Sequence, residues 1–231
     1  MLHYQPIVSL QDGSVSHYEA LVRLADEPGG KLVAPGRFLP AAERYGLVRE
    51  IDRMVLGKVV TLLAGEHGEH GVRIAINCSS LSIVDGEMLA QIEAQLAFAK
   101  VDPGQLVIEV TETAAISDMT RARHFCAGVQ KLGCAVALDD FGAGFGSFQY
   151  LKQLPFRYLK IDGDFIRGLP ASPQDQLVVK ALVELANGMG KQTIAEYVED
   201  EATVECLRDL GVDFAQGFAV GRPHPAVPLS A

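Results

Sequence analysis

The stretch CAVALDDFGAGFGS, residues 134–147, reads as a buried strand that meets a pair of acids and then a glycine-rich loop. Cys134 to Leu138 is an unbroken apolar run, Asp139 and Asp140 close it, and Gly142, Gly144 and Gly146 alternate with Ala143 and Phe145 beyond. An acidic pair after a strand is often only an Asx turn or a helix cap. Ionised neighbours repel, however, so a cation beside them is the alternative. The glycine spacing matches neither a dinucleotide-binding nor a phosphate-loop pattern. Which reading holds depends on how the other strands end.

On both sides the same unit recurs. VRIAIN (72–77), QLVIEVTE (105–112), RYLKID (157–162), QTIAE (192–196) and DFAQG (213–217) are strand-like, and helices are expected over 87–99, 118–132, 147–153, 174–189 and 201–210. Stripes such as Leu89, Ile92 and Leu96, or Val178, Leu182 and Leu185, carry the helical period. Repeated βα units with near-continuous aliphatic strands mean a parallel sheet covered by helices. Upstream, residues 2–10 and 15–24 form two further strands joined at Asp12-Gly13, a hairpin signal, so they pair antiparallel. A helix follows over 47–64, and GEHGEHG (65–71) breaks the chain with its two histidines in solvent. About eight strands favour a closed α/β barrel of the (β/α)8 type over an open sheet.

Strand after strand stops on a polar residue that a buried strand end does not need: Asn77, Glu109 with Glu112, Asp139 with Asp140, Lys160 with Asp162, Glu196 and Gln216, with Glu19 inside the second strand. In a parallel barrel the carboxyl ends of all strands open on one face, so these side chains converge. Several carboxylates in one small site force protonation unless cations share them. Carboxylates and an amide without His or Cys favour Mg²⁺ or Mn²⁺, with Ca²⁺ as a non-productive occupant. An aspartate able to bridge points to two ions roughly 3.5–4 Å apart, the arrangement used for displacement at phosphorus. A lysine among them would position water. At this level a phosphoesterase leads, and an aldolase- or enolase-type barrel stays open.

Composition narrows the partners. The 231 residues carry 20 basic and 29 acidic side chains, a net charge of −9 without a Lys/Arg cluster, which disfavours polymeric nucleic acid. Hydrophobic residues are 48% of the chain and no apolar run reaches bilayer length, so a soluble globular domain without membrane contact is expected. The four cysteines form no CxxC pair and suit a reducing cytoplasm. The abrupt entry into a strand suggests a piece cut from a longer protein.

The motifs YQPIV (4–8), EALVR (19–23), INCSS (76–80), EVTET (109–113), DDFGAGFGS (139–147), LKID (159–162), AEYVE (195–199) and QGFAVGRP (216–223) closely resemble those of the EAL-domain cyclic di-GMP phosphodiesterases, over essentially the whole chain. The resemblance implies a single domain over 1–231, a modified TIM barrel with one antiparallel strand near the N-terminus. It implies metal-dependent hydrolysis of one phosphodiester bond of cyclic di-GMP to linear pGpG. Glu19, Asn77, Glu109 and Asp139 match the ligands of one metal, and Asp139, Asp140 and Glu196 those of a second. Lys160 matches the lysine that holds the catalytic water, Gln216 helps order that surrounding, and Glu112 steadies the 139–147 loop. Glu199 and Asp162 stand behind the ligands, while Gln5, Leu21 and Arg23 match substrate contacts, the arginine as a charge-assisted fork to phosphate. A homodimer and fused sensory or GGDEF-type domains are further implications. Departures fall at Leu24, Ala143, Phe145 and Tyr197, where the family often has Trp, Thr, Tyr and Gly; none removes a ligand. Relatives with eroded motifs bind the dinucleotide without cleaving it, so a receptor is the competing reading.

Overall fold

The computed structural model describes residues 1–25, 30–142 and 151–228. Ala143, Phe145 and most of the helix expected near 147–153 lie outside the described residues. β1 (Leu2–Ser9) and β2 (Val15–Val22) form the expected hairpin, whose turn is held by Asp12 Oδ1, accepting from Ser14 N at 3.0 Å and Ser14 Oγ at 2.8 Å. A small ladder, β3 (Leu24–Ala25) with β4 (Leu32–Val33), was not legible in the sequence. Next come α1 (Pro35–Arg44), α2 (Val48–Leu63), α3 (Glu66–Glu69) and β5 (Ile74–Asn77). α4 (Ser80–Asp85) and α5 (Glu87–Ala99) lead to β6 (Leu106–Thr111), followed by α6 (Glu112–Ser117), α7 (Met119–Lys131) and β7 (Ala135–Phe141). The chain continues through β8 (Tyr158–Ile161), α8 (Gly163–Ile166), α9 (Pro173–Gly188), β9 (Gln192–Ala195), α10 (Glu201–Asp209) and β10 (Phe214–Ala215).

Eight of these strands close a barrel in the order β1-β10-β9-β8-β7-β6-β5-β2. β1 runs antiparallel to both neighbours and every other pairing in the ring is parallel, as expected. The histidines of 65–71 need a correction. That segment holds α3, and His67 is half-buried with Nε2 3.1 Å from Val227 O, while His70 is exposed.

Side chains two apart on a strand share a face. One face of each strand meets the helices. Ile76, Ile108 and Leu138 join Leu56 and Val59 of α2, Ile92 of α5 and Val179 of α9 in the main core. Each such side chain is worth about 1.5–3 kcal/mol when fully buried, so this outer shell carries most of the stability. The other face fills the barrel. Its lower layer is Ile7, Ala75, Val107, Ala137, Tyr158 and Ile194, joined by the His17 ring 5.1 Å from that of Tyr158. Helix starts are fixed by local chemistry: Asp118, Ser172 and Asp200 cap α7, α9 and α10, with Pro173 in the first turn of α9.

Candidate active site and metal centre

Two residues beyond each side chain of the apolar layer, on the same face, comes a polar one. Glu19 follows His17, Asn77 follows Ala75, Glu109 follows Val107, Asp139 follows Ala137, Lys160 follows Tyr158 and Glu196 follows Ile194. Gln216 follows Phe214, and on the reversed strand β1 Gln5 precedes Ile7. All eight barrel strands therefore place a polar side chain at one mouth of the barrel.

Lys160 is at its centre. Its buried Nζ lies 2.8 Å from Glu196 Oε1, 2.9 Å from both Glu109 Oε2 and Asp139 Oδ1, and 3.7 Å from Glu19 Oε2. Burial works against its charge, but these four carboxylates outweigh burial and hold its pKa well above the usual lysine value. It remains an ammonium. Glu19 is gripped at both oxygens, by Asn77 Nδ2 on Oε1 and by Gln216 Nε2 on Oε2, each at 2.6 Å. Burial pushes Glu19 upward, yet Lys160 and the two amides prevail and its pKa falls below the ordinary one. Burial and then the Glu19 charge push Glu109 well up, and burial pushes Glu196 up to about 8.

Asp139 and Asp140 pose a geometric problem, because neighbours on a regular strand face opposite ways. The β7–β8 ladder slips between Leu138 and Phe141, and Asp140 takes the left-handed φ of +54°. This irregularity, like a bulge, re-aims a side chain. One oxygen each from Asp139, Asp140 and Glu196 consequently falls within 4.8 Å of the others. Burial, then the charge of Asp139, pushes Asp140 up to about 6. Gly142 follows with φ +102°, where a Cβ would meet the Phe165 ring at 2.4 Å, and its N–H donates to Glu112 Oε2 at 2.9 Å. Glu112, the first residue of α6, thus accepts from the backbone just after β7.

The donor set suits hard divalent cations. Among the described residues Glu109 Oε1 and Gln216 Oε1 are buried acceptors without a hydrogen-bond donor, and Asp139 Oδ1 meets Lys160 only as an ion-pair contact. Glu19, Glu109, Asp139, Asp140 and Glu196 ionised, against one ammonium, carry a formal charge of −4, which two divalent ions balance. Oxygen-only ligands of this kind are those of hard cations.

A cavity of about 510 Å³ opens over this ring, lined also by Gln5, Leu21, Arg23 and Glu199. Gln5 Nε2 donates to Gly221 O at 3.0 Å, and Arg23 Nη1 to Val22 O at 2.9 Å. Glu199 is exposed at the rim. Asp162 is turned to another task, its carboxylate accepting from Asp164 N at 2.7 Å and capping α8. Sequence reasoning passed over Asp52, Arg167 and Phe218. Asp52 is buried beside a second cavity of about 660 Å³, accepting from Ser79 N at 3.0 Å and Ser82 Oγ at 2.7 Å. Its signal was available: with Val48, Val55 and Val59 it shares the buried stripe of α2.

The chain is 38% identical over 229 residues to the cyclic di-GMP phosphodiesterase PdeB of Shewanella oneidensis, covering 97% of this chain and 26% of that protein. It is 35% identical to the cyclic di-GMP phosphodiesterase PdeF of Escherichia coli, covering 96% of this chain and 30% of that protein. The chain thus spans about a quarter to a third of the length of these curated relatives. Among solved structures, the PaMucR phosphodiesterase in complex with c-di-GMP superposes with a TM-score of 0.90 at 36% identity, covering 98% of this chain and 97% of that one. The FimX EAL domain from Pseudomonas aeruginosa, bound to c-di-GMP, gives 0.91 at 32% identity, covering 99% and 92%. The EAL domain family itself matches residues 1–223, and the chain belongs to that family.

Proposed function

We propose that this domain hydrolyses one phosphodiester bond of cyclic di-GMP, giving linear pGpG. The observation that carries the reading is the polar ring itself: five carboxylates, three amides and a charged lysine converge under a cavity of about 510 Å³. The relatives named as phosphodiesterases supply the substrate class. Glu19, Asn77, Glu109 and Asp139 would hold one divalent cation, and Asp139, Asp140 and Glu196 a second. When bound, such ions supply Lewis-acid charge at the phosphoryl centre.

The chain's own residues do the rest. Lys160 keeps its proton because of the carboxylates around it, so it serves as a hydrogen-bond donor that orients the attacking water. The water oxygen bonds to phosphorus as the bond to the 3′ oxygen breaks, and the departing oxygen ends as a hydroxyl with a proton from the water. Lys160 foremost, with Gln216 and Asn77, keeps Glu19 ionised, and the two amides hold both its oxygens in place. Arg23 and Gln5 at the wall contact the dinucleotide, the arginine at a phosphate. Glu112 holds Gly142 so that the Asp139–Asp140 bend persists.

The wider setting belongs to the same reading: a bacterial second-messenger enzyme working in the cytoplasm, as a homodimer, fused to sensory or GGDEF-type domains. A relative named as a bifunctional diguanylate cyclase and cyclic di-GMP phosphodiesterase, MucR of Pseudomonas aeruginosa, supports the fusion. Among the described residues no helix is long and apolar enough to cross a membrane. The test is conversion of cyclic di-GMP to pGpG followed by chromatography with Mg²⁺ or Mn²⁺. Turnover lost with EDTA, with Ca²⁺ substituted, and in Glu19→Ala is expected. Tight binding without product under both ions would instead make the domain a receptor.

A further inference from the structure

We propose that Tyr197 and Arg167 form a platform at the cavity mouth on which one purine base of the dinucleotide stacks, an inference that rests on the cyclic di-GMP reading above. Among the described residues, Lys100, Asp140 and Tyr197 are the non-glycine residues with positive φ. Lys100 ends helix α5, where a left-handed residue is ordinary. Asp140 and Tyr197, both at φ +54°, line the catalytic cavity instead. A side chain held in a disfavoured conformation beside a site is over-determined by its surroundings, and such residues cluster at ligand clamps.

What holds Tyr197 is visible. Its ring lies so close over Gly163, at the start of α8, that a Cβ there would approach Tyr197 Cδ2 to 2.2 Å. The Arg167 guanidinium, just past the end of α8, sits with Cζ 4.1 Å from the ring centroid, and Asp164 Oδ1 accepts from its Nη1 at 3.1 Å. The guanidinium thereby backs the ring, yet the tyrosine is still 51% exposed. Tyr197 lines both the catalytic cavity and its 660 Å³ neighbour, and so stands at their junction. A half-exposed aromatic backed by a guanidinium is a surface on which nucleobases stack. The scissile diester belongs over the polar ring, which leaves this rim for a base.

The test pairs kinetics with a stacking probe. Tyr197→Gly suits the left-handed backbone and removes only the ring; Arg167→Gln removes the cation; Tyr197→Phe keeps the platform, and thermal melts check that all three fold. With Mn²⁺, KM for cyclic di-GMP should rise about tenfold in the first two, with the loss on KM rather than kcat. Tyr197→Phe should match the wild type. A cyclic dinucleotide carrying one 2-aminopurine, bound with Ca²⁺ to stop turnover, should be quenched by the wild type and by Tyr197→Phe, and much less by Tyr197→Gly. An unchanged KM with equal quenching in Tyr197→Gly overturns the platform while leaving the activity standing. A wild-type protein that neither binds nor cleaves cyclic di-GMP overturns both.

Discussion

Replacing Gln216 with Leu tests how the ring holds Glu19. The amide donates to Glu19 Oε2 at 2.6 Å, and Asn77 holds Oε1 at the same distance, so the substitution removes one of two short charge-assisted bonds. The backbone role of residue 216 survives, since its N–H still reaches Ala195 O and its carbonyl still accepts from Val198 N. Lys160 Nζ, 3.7 Å from Glu19 Oε2, continues to oppose the charge. The loss is therefore one hydrogen bond to an ion, about 1.5–3 kcal/mol. If Glu19 is a metal ligand, that loss falls on metal affinity, because groups that orient ligands typically matter by 10- to 100-fold. Titrating Mn²⁺ against cyclic di-GMP hydrolysis should show half-saturation moving up by roughly that factor, with kcat largely recovered at high metal. Gln5→Leu is the contrast: it breaks the bond to Gly221 O and the long 3.5 Å one from Gln216 Nε2 but leaves the 2.6 Å bond from Gln216 to Glu19, so KM should rise without a shift in metal half-saturation. Unchanged half-saturation in Gln216→Leu, with a fall confined to kcat, would refute the ligand-orienting role.

Other expectations follow from the same geometry. Lys160→Met removes the counter-charge of four buried carboxylates; in urea melts with EDTA it should cost about 3–5 kcal/mol, partly restored by Mn²⁺, and an unchanged midpoint would argue against its electrostatic role. Asp52→Ala strands Ser79 N and the buried Ser82 hydroxyl and should lower stability by about 1–3 kcal/mol, measurable by thermal or urea denaturation. Burial pushes the Cys126 and Cys134 thiols up to about 12. Both stay protonated in the folded chain while the unfolded chain releases its thiol protons from about pH 9, so they cost stability as pH rises from there toward 12. At pH 8 a thiol reagent should modify the half-buried Cys206 in the native protein and all four cysteines after unfolding; rapid native labelling of Cys126 or Cys134 would contradict their burial.

The barrel and most of its polar ring were legible because two periodicities agree. Ile74 and Ile76 face the helices while Ala75 and Asn77 face the lumen, so an intruding polar residue at the end of an apolar run marks the lumen mouth. β3 and α8 were not legible, since two and four residues hold no period and neither belongs to the recurring βα unit that disclosed the equally short β10. That also explains Asp162. At a strand end it resembles its ring-forming counterparts, and only the turn into α8 diverts it to a cap. Asp52 was hidden differently, as an acid inside a stripe otherwise read for its aliphatic members.

The acidic pair at 139–140 shows where such reading stops. Period two alone sends one aspartate into the barrel and its neighbour out toward the helices, where an ionised side chain among apolar residues is costly. The chain escapes that cost by breaking the ladder after Leu138 and turning Asp140 left-handed, which exposes its carboxylate beside the cavity while Asp139 stays in the ring. The break needs support from outside the strand. Glu112 supplies it by accepting from Gly142 N, and Gly142 itself leaves room for the Phe165 ring where a side chain would collide. The placing of the Asp140 carboxylate beside the cavity therefore leans on a carboxylate from another strand end. Glu112→Gln, which keeps an acceptor but loses its charge, should weaken the tie at Gly142 and lower activity less than Glu112→Ala does. Wild-type activity in both variants, measured with Mn²⁺ and cyclic di-GMP, would mean that the bend at Asp140 stands without this support.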